Sequence, residues 1–172
     1  MALEIKADSV IGYRQVEDNH LSAKRDGRVY AQLSAADSIK MLEQGTFVKY
    51  DYANGEVNFT GEGPWMMVYN EEKLYDERKQ MHRDYAMTKE DTADGKMFPR
   101  VLGMVAGDIY TTNNLADGTY NVGDKVAPNA TGVLDAASAT AAESAGTLVL
   151  QVVKEYTLPD MQPAVKLQVI QA

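Results

Sequence analysis

The last quarter of the chain, residues 146–170, constrains the fold more than any other stretch. Residues 165–169 alternate apolar and polar side chains, which is the period-2 pattern of a strand with one solvated face. Residues 148–153 are apolar on both sides, which favours a central position in a sheet or barrel. Pro159 and Pro163 fall in the connection, where no ladder hydrogen bond is needed. The chain is therefore predicted to end in a hairpin-like pair of strands around which the earlier segments pack.

Several shorter stretches also predict strands. Residues 46–52 and 56–59 flank Asn54-Gly55, the favoured pair for a tight type I′ hairpin turn. Residues 65–69 are entirely apolar and predict a buried strand. A further strand is predicted at 97–106 and continues through 107–114 into a turn, and a short strand is predicted at 125–127 after glycine turns. Together these short strands predict a β-rich α+β fold, with a small β-barrel or sandwich as its core and one or two helices.

Two segments carry helix signals. In residues 34–45, Ser34 is a favourable N-cap and Gly45 suits a left-handed exit. The second signal begins with Asn70 as a cap and predicts a helical excursion over about residues 70–87. Residues 134–145 are mainly small: the alanines favour a weak helix, but Ser and Thr dilute them, and the stretch is predicted mainly as a loop.

Residues 1–33 show no sustained period of 3.6 or 2. Two interpretations remain open for them: a frayed polar terminus, or an extended arm that becomes ordered against a neighbouring molecule. The domain prediction takes the second, with an extended N-terminal arm at 1–33 and a β-rich globular domain at 34–172.

Composition limits the function classes. The formal net charge of −8 argues against general binding to a nucleic-acid backbone, which requires clustered Lys and Arg. With no cysteine, the chain has neither a disulfide framework nor a thiolate metal site. Acidic residues among the first eight disfavour a secretion signal, and no stretch reaches the ~20 apolar residues of a membrane-spanning helix. We therefore expect no nucleic-acid or membrane partner and no export by the general secretory route.

No pattern in the sequence predicts a reaction. The two histidines, His20 and His82, lie among charged or irregular segments and are predicted to be solvated side chains, since no G-x-S-x-G nucleophile motif occurs. Asp91, Asp94 and Asp117 lie in polar turns without the regular spacing of a calcium loop. The expectation is no catalytic residue, no metal and no cofactor, and a hydrolase built on acidic residues is the least supported class.

Aromatic residues leave one binding hypothesis open. A set of five falls on the predicted strands: Tyr50, Tyr52, Phe59, Trp65 and Tyr69. Such residues form either a stacking platform for sugars or bases, or part of a hydrophobic core. The core interpretation is favoured.

Two segments carry a resemblance to a known family. Residues 99–113 (PRVLGMVAGDIYTTN) and 118–127 (GTYNVGDKVA), with the turn Gly132-Val133-Leu134, resemble the small β-barrel domain of tailed-bacteriophage head proteins. The similarity covers mainly residues 65–170. Auxiliary capsid proteins, also called decoration or cement proteins, often carry such a domain.

The resemblance implies a structural role without enzymatic activity. Auxiliary capsid proteins lie on the capsid exterior, commonly as trimers, and bridge major capsid subunits; the implied partners are the major capsid protein and further copies of the chain, assembled in the host cytoplasm. The N-terminal arm is then the attachment device, and its predicted apolar interface residues are Ile5, Val10, Ile11 and Tyr13. The alternative function is a β-rich glycan-binding module of a phage head fibre or tail, acting through Trp65 and the tyrosines.

Overall fold

The computed structural model describes residues 3–70 and 85–172. Up to residue 70 the strands are β1 (Leu3–Ile5), β2 (Val16–His20), β3 (Val29–Tyr30), β4 (Ser34–Ala35), β5 (Met41–Glu43), β6 (Phe47–Asp51), β7 (Glu56–Asn58) and β8 (Met66–Val68). From residue 85 they are β9 (Ala86–Thr88), β10 (Val101–Gly103), β11 (Ile109–Thr112), β12 (Gly118–Tyr120), β13 (Lys125–Pro128), β14 (Leu134–Asp135), β15 (Val149–Thr157) and β16 (Pro163–Gln171). A 3-10 turn spans Ala7–Ser9, and two α-helices, α1 and α2, span Ser22–Asp26 and Ala139–Ala145.

Two six-stranded sheets dominate the structure. Sheet I has the order β3-β10-β8-β6-β7-β4, and sheet II has the order β14-β13-β15-β16-β11-β2. One hydrophobic core contains residues of both, including Phe47 and Leu102 from sheet I with Tyr110 and Leu150 from sheet II. The sheets therefore pack face to face, and the predicted β-rich α+β fold with a sandwich-like core and two helices is confirmed.

Sheet I is buried on both faces at its centre. Neighbouring residues along its strands point to opposite faces. Phe47 and Met67 belong to the core shared with sheet II, whereas Val48 and Met66 belong to a second core on the other face. This explains why residues 65–69 are apolar without alternation.

The C-terminal pair of strands occupies the centre of sheet II, as the sequence predicts. β15 and β16 form a long antiparallel hairpin with register shifts near Val149 and Val152. β15 also pairs with β13, and β16 also pairs with β11. Residues from both hairpin strands are therefore deeply buried, and they supply much of the shared core.

Residues 3–33 lie inside the domain and do not extend from it as a separate arm. β1 pairs with β12, and β2 forms an edge of sheet II beside β11. α1 contributes Ala23 to the shared core. These strands are short and are stabilised by pairing with segments that are distant in the sequence. A strand this short contains too few residues to show a clear alternation of apolar and polar side chains, so the sequence pattern did not reveal it.

The helix predicted at 34–45 is wrong. Ser34–Ala35 forms β4, which pairs parallel with β7, and Met41–Glu43 forms β5, which pairs with β9. A helix of that length is marginal on its own, and sheet pairing overrides local propensity. Gly45 does adopt the left-handed conformation, with φ 78°, but in the turn that leads into β6.

Other local predictions had mixed outcomes. β6 and β7 form the predicted hairpin, but its loop has four residues and only Gly55 has positive φ, so the turn is not type I′. The predicted loop at 134–145 contains β14 and α2. The helical excursion predicted at about 70–87 falls mostly outside the described residues, and its last part is β9.

One glycine joins the two sheets where they meet. The Gly132 carbonyl, in the turn between β13 and β14, accepts a 2.7 Å hydrogen bond from the Phe47 amide of β6. Gly132 has φ 76°, and a Cβ placed there would lie 2.0 Å from the Phe47 carbonyl oxygen. This close backbone approach is possible only without a side chain.

Gly132→Ala tests this contact, with Gly27→Ala as the matched control. Gly27 has nearly the same φ, 73°, but nothing lies within 4 Å of its added Cβ. We expect the control to lose about 1 kcal/mol of unfolding free energy from the left-handed backbone alone. Gly132→Ala adds a backbone collision and is expected to lose at least about 3 kcal/mol. Urea denaturation measures both, and equal losses would contradict the proposed contact between the sheets.

Candidate interaction surface

The four predicted interface residues fall in different environments. Ile5 is 1% exposed and belongs to the shared core, so it is not available as a surface anchor. Val10 is half-buried. Ile11 and Tyr13 are exposed by 64% and 37%. The structure therefore leaves two of the four as candidates for contact with a partner.

The sequence prediction missed a third exposed apolar residue, which lies on a turn that is hydrogen-bonded to Ile11. Met161 is 80% exposed and lies in the turn between β15 and β16. The two segments are joined at Ile11, whose amide donates to Gln162 Oε1 at 2.8 Å and whose carbonyl accepts from Gln162 Nε2 at 3.1 Å. We call Ile11, Tyr13 and Met161 the apolar patch. The only sequence feature that could have indicated the exposure of Met161 is its position as an apolar residue in the polar turn Pro-Asp-x-Gln.

The backbone at Met161 is in an unusual conformation. Met161 has φ 71° and is the only non-glycine residue with positive φ among the described residues. This conformation costs an ordinary side chain about 1–2 kcal/mol, whereas Gly or Asn adopts it readily. The turn is nevertheless well formed, because the Leu158 amide donates to the Gln162 carbonyl and the Met161 amide to the Leu158 carbonyl. The turn thus holds a large apolar side chain outward in a conformation that disfavours it.

Buried hydrogen bonds fix the segment on the C-terminal side of the patch. Arg14 donates from Nη1 to the Asn113 carbonyl at 2.6 Å, and the Gln15 amide donates to Asn113 Oδ1 at 2.7 Å. The Thr112 hydroxyl donates to the Gln15 carbonyl at 2.7 Å. Burial lowers the pKa of Arg14, and the nearby carboxylate of Glu43 opposes that shift. Arg14 remains a cation, and its buried side chain links the N-terminal segment to the turn after β11.

The other side of the patch is held by Asp117. Its Oδ1 accepts a 2.6 Å hydrogen bond from the Ala7 amide, 110 residues away in sequence. β1 reinforces this attachment by pairing with β12, immediately after Asp117. Residues 3–16 are thus attached at both ends, to β12 at the first end and to β11 of sheet II at the second. The exposed side chains between these ends are therefore carried by an ordered backbone.

Asp160 completes the support beneath the patch. Its Oδ2 accepts from Gln15 Nε2 at 2.6 Å and from Gln162 Nε2 at 2.7 Å, and its Oδ1 accepts from the Gln162 amide at 3.1 Å. Partial burial raises the pKa of Asp160, but the hydrogen bonds from Gln162 and Gln15 outweigh it and leave the pKa below the usual value. Asp160 thus links the turn that carries Met161 to the segment that carries Ile11.

The charges near the patch are mainly acidic. Asp8 is exposed on one side of it and Asp160 lies beneath it, while Arg14 is buried. The nearest exposed cation on the same segment, Lys6, is 3.1 Å from Glu4. A partner surface with an apolar depression and a basic rim would be complementary.

The five predicted aromatic residues do not form one platform. Tyr50 and Phe59 pack against the second core, on one face of sheet I. Trp65 and Tyr69 pack against the shared core, on the opposite face. The ammonium of Lys24 lies 4.3 Å from the Tyr69 ring centroid and pairs with Asp18. The core interpretation therefore describes most of this set.

Tyr52 belongs to a different aromatic group, which also contains Tyr30, a residue outside the predicted set. Tyr30, Tyr50 and Tyr52 meet edge to face, with successive ring centroids 6.2 Å apart. Burial raises the pKa of Tyr50, which is the middle ring. Tyr52 is 63% exposed and Tyr30 37%. Of the three rings, Tyr50 packs against the second core.

The remaining chemical candidates in the sequence are the histidines and the acidic residues. His20 is exposed at the end of β2, and His82 lies outside the described residues. Within residues 3–70 and 85–172, no group of three or more His, Asp or Glu side chains is placed to hold a metal ion. None of the helices in these ranges is both long and apolar enough to cross a membrane.

The chain matches no protein-family model, no curated protein and no solved structure.

Asp160→Asn tests the support beneath the patch. The asparagine amide has the same shape as the carboxylate, but it faces Gln15 Nε2 and Gln162 Nε2 with either a weaker acceptor, its oxygen, or a competing donor, its NH2 group. We therefore expect the free energy of unfolding to fall by about 1 kcal/mol. Hydrogen exchange at the Ile11 amide should accelerate. Asp124→Asn is the control, because Asp124 accepts equivalent turn hydrogen bonds from Asn121 elsewhere. Unchanged exchange at Ile11 in Asp160→Asn would refute the role of Asp160.

The same carboxylate predicts a pH dependence. The folded-state pKa of Asp160 lies below its unfolded value of about 3.9. Its stabilising contribution is therefore complete above about pH 4 and is lost as the pH falls through the folded-state pKa. The stability difference between the wild type and Asp160→Asn should shrink below pH 4, as measured by denaturation at several pH values.

Proposed function

We propose that this chain is a structural virion protein that decorates and stabilises the outer surface of a phage capsid by bridging major capsid subunits. The observation that carries the proposal is the apolar patch, whose side chains are exposed while hydrogen bonds at Ile11 and in the turn that carries Met161 hold their backbone in place. An exposed, preorganised apolar surface favours protein binding, because little conformational entropy is lost on contact.

The resemblance to auxiliary capsid proteins supports this assignment through particular residues. Asn113 ends the first resembling segment and binds Arg14 and Gln15. Asp117 immediately precedes the second segment and binds Ala7. The resembling part of the chain is thus also the part that positions the patch.

The proposed occupant of the patch is the major capsid protein, with an apolar depression and basic rim on the capsid exterior. Many copies, each attached weakly and linked to one another as trimers, would together resist pressure from the packaged genome. The net charge of −8 fits a partner with basic surface residues and keeps decorated particles dispersed.

The first test is sedimentation of the tagged protein from the cells that naturally produce it. We expect it to migrate with a megadalton particle in many copies. Recovery only as a free small species would overturn the proposal. Deleting residues 1–33 is not a usable variant, because the deletion removes two strands of the main sheets together with buried Ile5 and Leu21.

Met161→Asn separates attachment from folding. Asn adopts positive φ more readily than Met, and the Met161 side chain is 80% exposed, so little burial is lost. We therefore expect unchanged or slightly higher stability, by up to about 1 kcal/mol. Combined with Ile11→Asp, it should weaken particle attachment by about 2 kcal/mol or more, roughly 30-fold.

The control for this variant is Val122→Asn, which alters a side chain exposed to a similar degree as Ile11, 61%, but outside the patch. It should sediment with particles as the wild type does. If Val122→Asn detaches while the Met161→Asn, Ile11→Asp double variant remains bound, the attachment surface lies elsewhere.

A second candidate function is a glycan-binding module of a phage head fibre or tail. The observation that favours it is that Trp65 lines a surface cleft between the two sheets instead of being fully enclosed. Binding to a glycan panel tests this function independently of particle attachment.

A further inference from the structure

A cleft of about 290 Å³ opens beside the edge of the sandwich core. It is formed by the β7–β8 connection, by β6 and by the segment that follows α2. The side chains that line it include Lys49, Glu62, Pro64, Trp65, Met104 and Leu148. Its volume suits one six-membered sugar ring rather than an extended ligand.

The floor of the cleft is apolar and its rim is polar. Met104 and Leu148 are 8% and 4% exposed and belong to the shared core. Trp65 is half-buried against the same core, while Glu62 and Pro64 are exposed. The rim therefore offers the Trp65 ring and the Glu62 carboxylate above a hydrophobic base.

Gly63 determines how closely this rim follows sheet I. Its amide donates to the Tyr50 carbonyl at 3.0 Å. A Cβ at Gly63 would lie 3.1 Å from that carbonyl oxygen and 3.3 Å from Tyr50 Cβ. The buried glycine lets the connection lie against β6 and leaves Glu62 and Pro64, on either side, at the surface.

Lys49 provides a cation at the same place. Its ammonium lies 4.7 Å from the centroid of the Trp65 ring. In the part of the chain that the structure describes, neither Lys49 nor Glu62 has an ion-pair partner. A cation–π contact at an exposed site is weak, so the ammonium can move from the ring face to its edge when another group stacks there.

We propose that this cleft binds one neutral pyranose ring of a glycan. The apolar face of the sugar stacks on Trp65, Lys49 donates to a sugar hydroxyl, and Glu62 accepts from one. Hydroxyl groups both donate and accept, so they satisfy a cation and a carboxylate together. A polyanionic ligand is disfavoured by Glu62 and by the net charge of −8. This inference rests on the second candidate function and is independent of capsid attachment.

The chain carries its own reporter, because Trp65 is its single tryptophan. Titration with neutral hexoses, N-acetylhexosamines and their short oligomers should produce a saturable change in tryptophan fluorescence. We expect half-saturation on the order of 1 mM for a single ring, given the small number of atoms in contact. A fluorescence signal that stays constant to tens of millimolar for every sugar, in the folded protein, would overturn the proposal.

Two variants test the polar contacts without removing core atoms. Lys49→Met and Glu62→Gln should each weaken binding about fivefold or more while the unfolding transition stays unchanged. Tyr52→Ser is the matched control, since Tyr52 is an exposed aromatic residue outside the cleft. Its affinity for the sugar should equal that of the wild type. Trp65→Phe, measured by saturation-transfer NMR, should bind more weakly and remain folded.

The outcomes distinguish the site from the function. Glycan binding on an array with no change in Trp65 fluorescence and no effect of the variants would overturn this site and leave a glycan-binding module in place. Absence of glycan binding by both array and NMR would overturn both. Quenching by an apolar dye but by no sugar would show an apolar crevice and overturn the proposed ligand class.

Discussion

The structure depends on a set of buried amide groups at the turn after β11. Asn113 receives hydrogen bonds from Arg14 and the Gln15 amide, while Asn114 donates from Nδ2 to the Gln44 carbonyl and to Thr46. An unsatisfied buried polar group costs about 1–3 kcal/mol, so the loss of any one of these bonds destabilises the turn. They fasten the N-terminal segment to sheet II and hold the link between β5 and β6. They add to the strand pairing of β1 with β12 and of β2 with β11, which also holds the N-terminal segment in place.

The hydrogen bonds that hold the N-terminal segment also explain why apolar side chains remain exposed on it. A segment tied at Asp117, Asn113 and Gln162 cannot fold its apolar side chains inward, so Ile11 remains exposed on an ordered backbone. Met161 projects from the neighbouring turn in a conformation that disfavours it. Strain and exposure at one place are commonly associated with function, because folding alone would not retain them. The proposed attachment to a capsid rests on this combination.

The alternation of side chains across sheet I separates the aromatic residues into two environments. Tyr50 faces the second core and joins a tyrosine cluster, whereas Trp65 faces the shared core and reaches a cleft. Because Tyr50 and Trp65 lie on opposite faces of sheet I, they cannot contact the same ligand as one flat platform. The proposed sugar site therefore uses the tryptophan alone, with Lys49 and Glu62 as polar partners. Particle attachment and sugar binding would then use separate surfaces, which allows each to be tested without the other.

Features that depend only on neighbouring residues could be predicted from the sequence. The alternation in residues 165–169 correctly predicted a strand with one solvated face, and the apolar runs at 148–153 and 65–69 correctly predicted a central strand and a buried strand, since period and face are local properties. The sequence could not determine which distant segments pair. The prediction of a helix at 34–45 failed because β7 and β9 offered pairing that outweighed a weak helical tendency. Likewise, Ile5 and Ile11 look alike in sequence, yet only the tertiary structure buried one and exposed the other. Exposure is a property of the whole fold, because it depends on contacts between residues far apart in the chain.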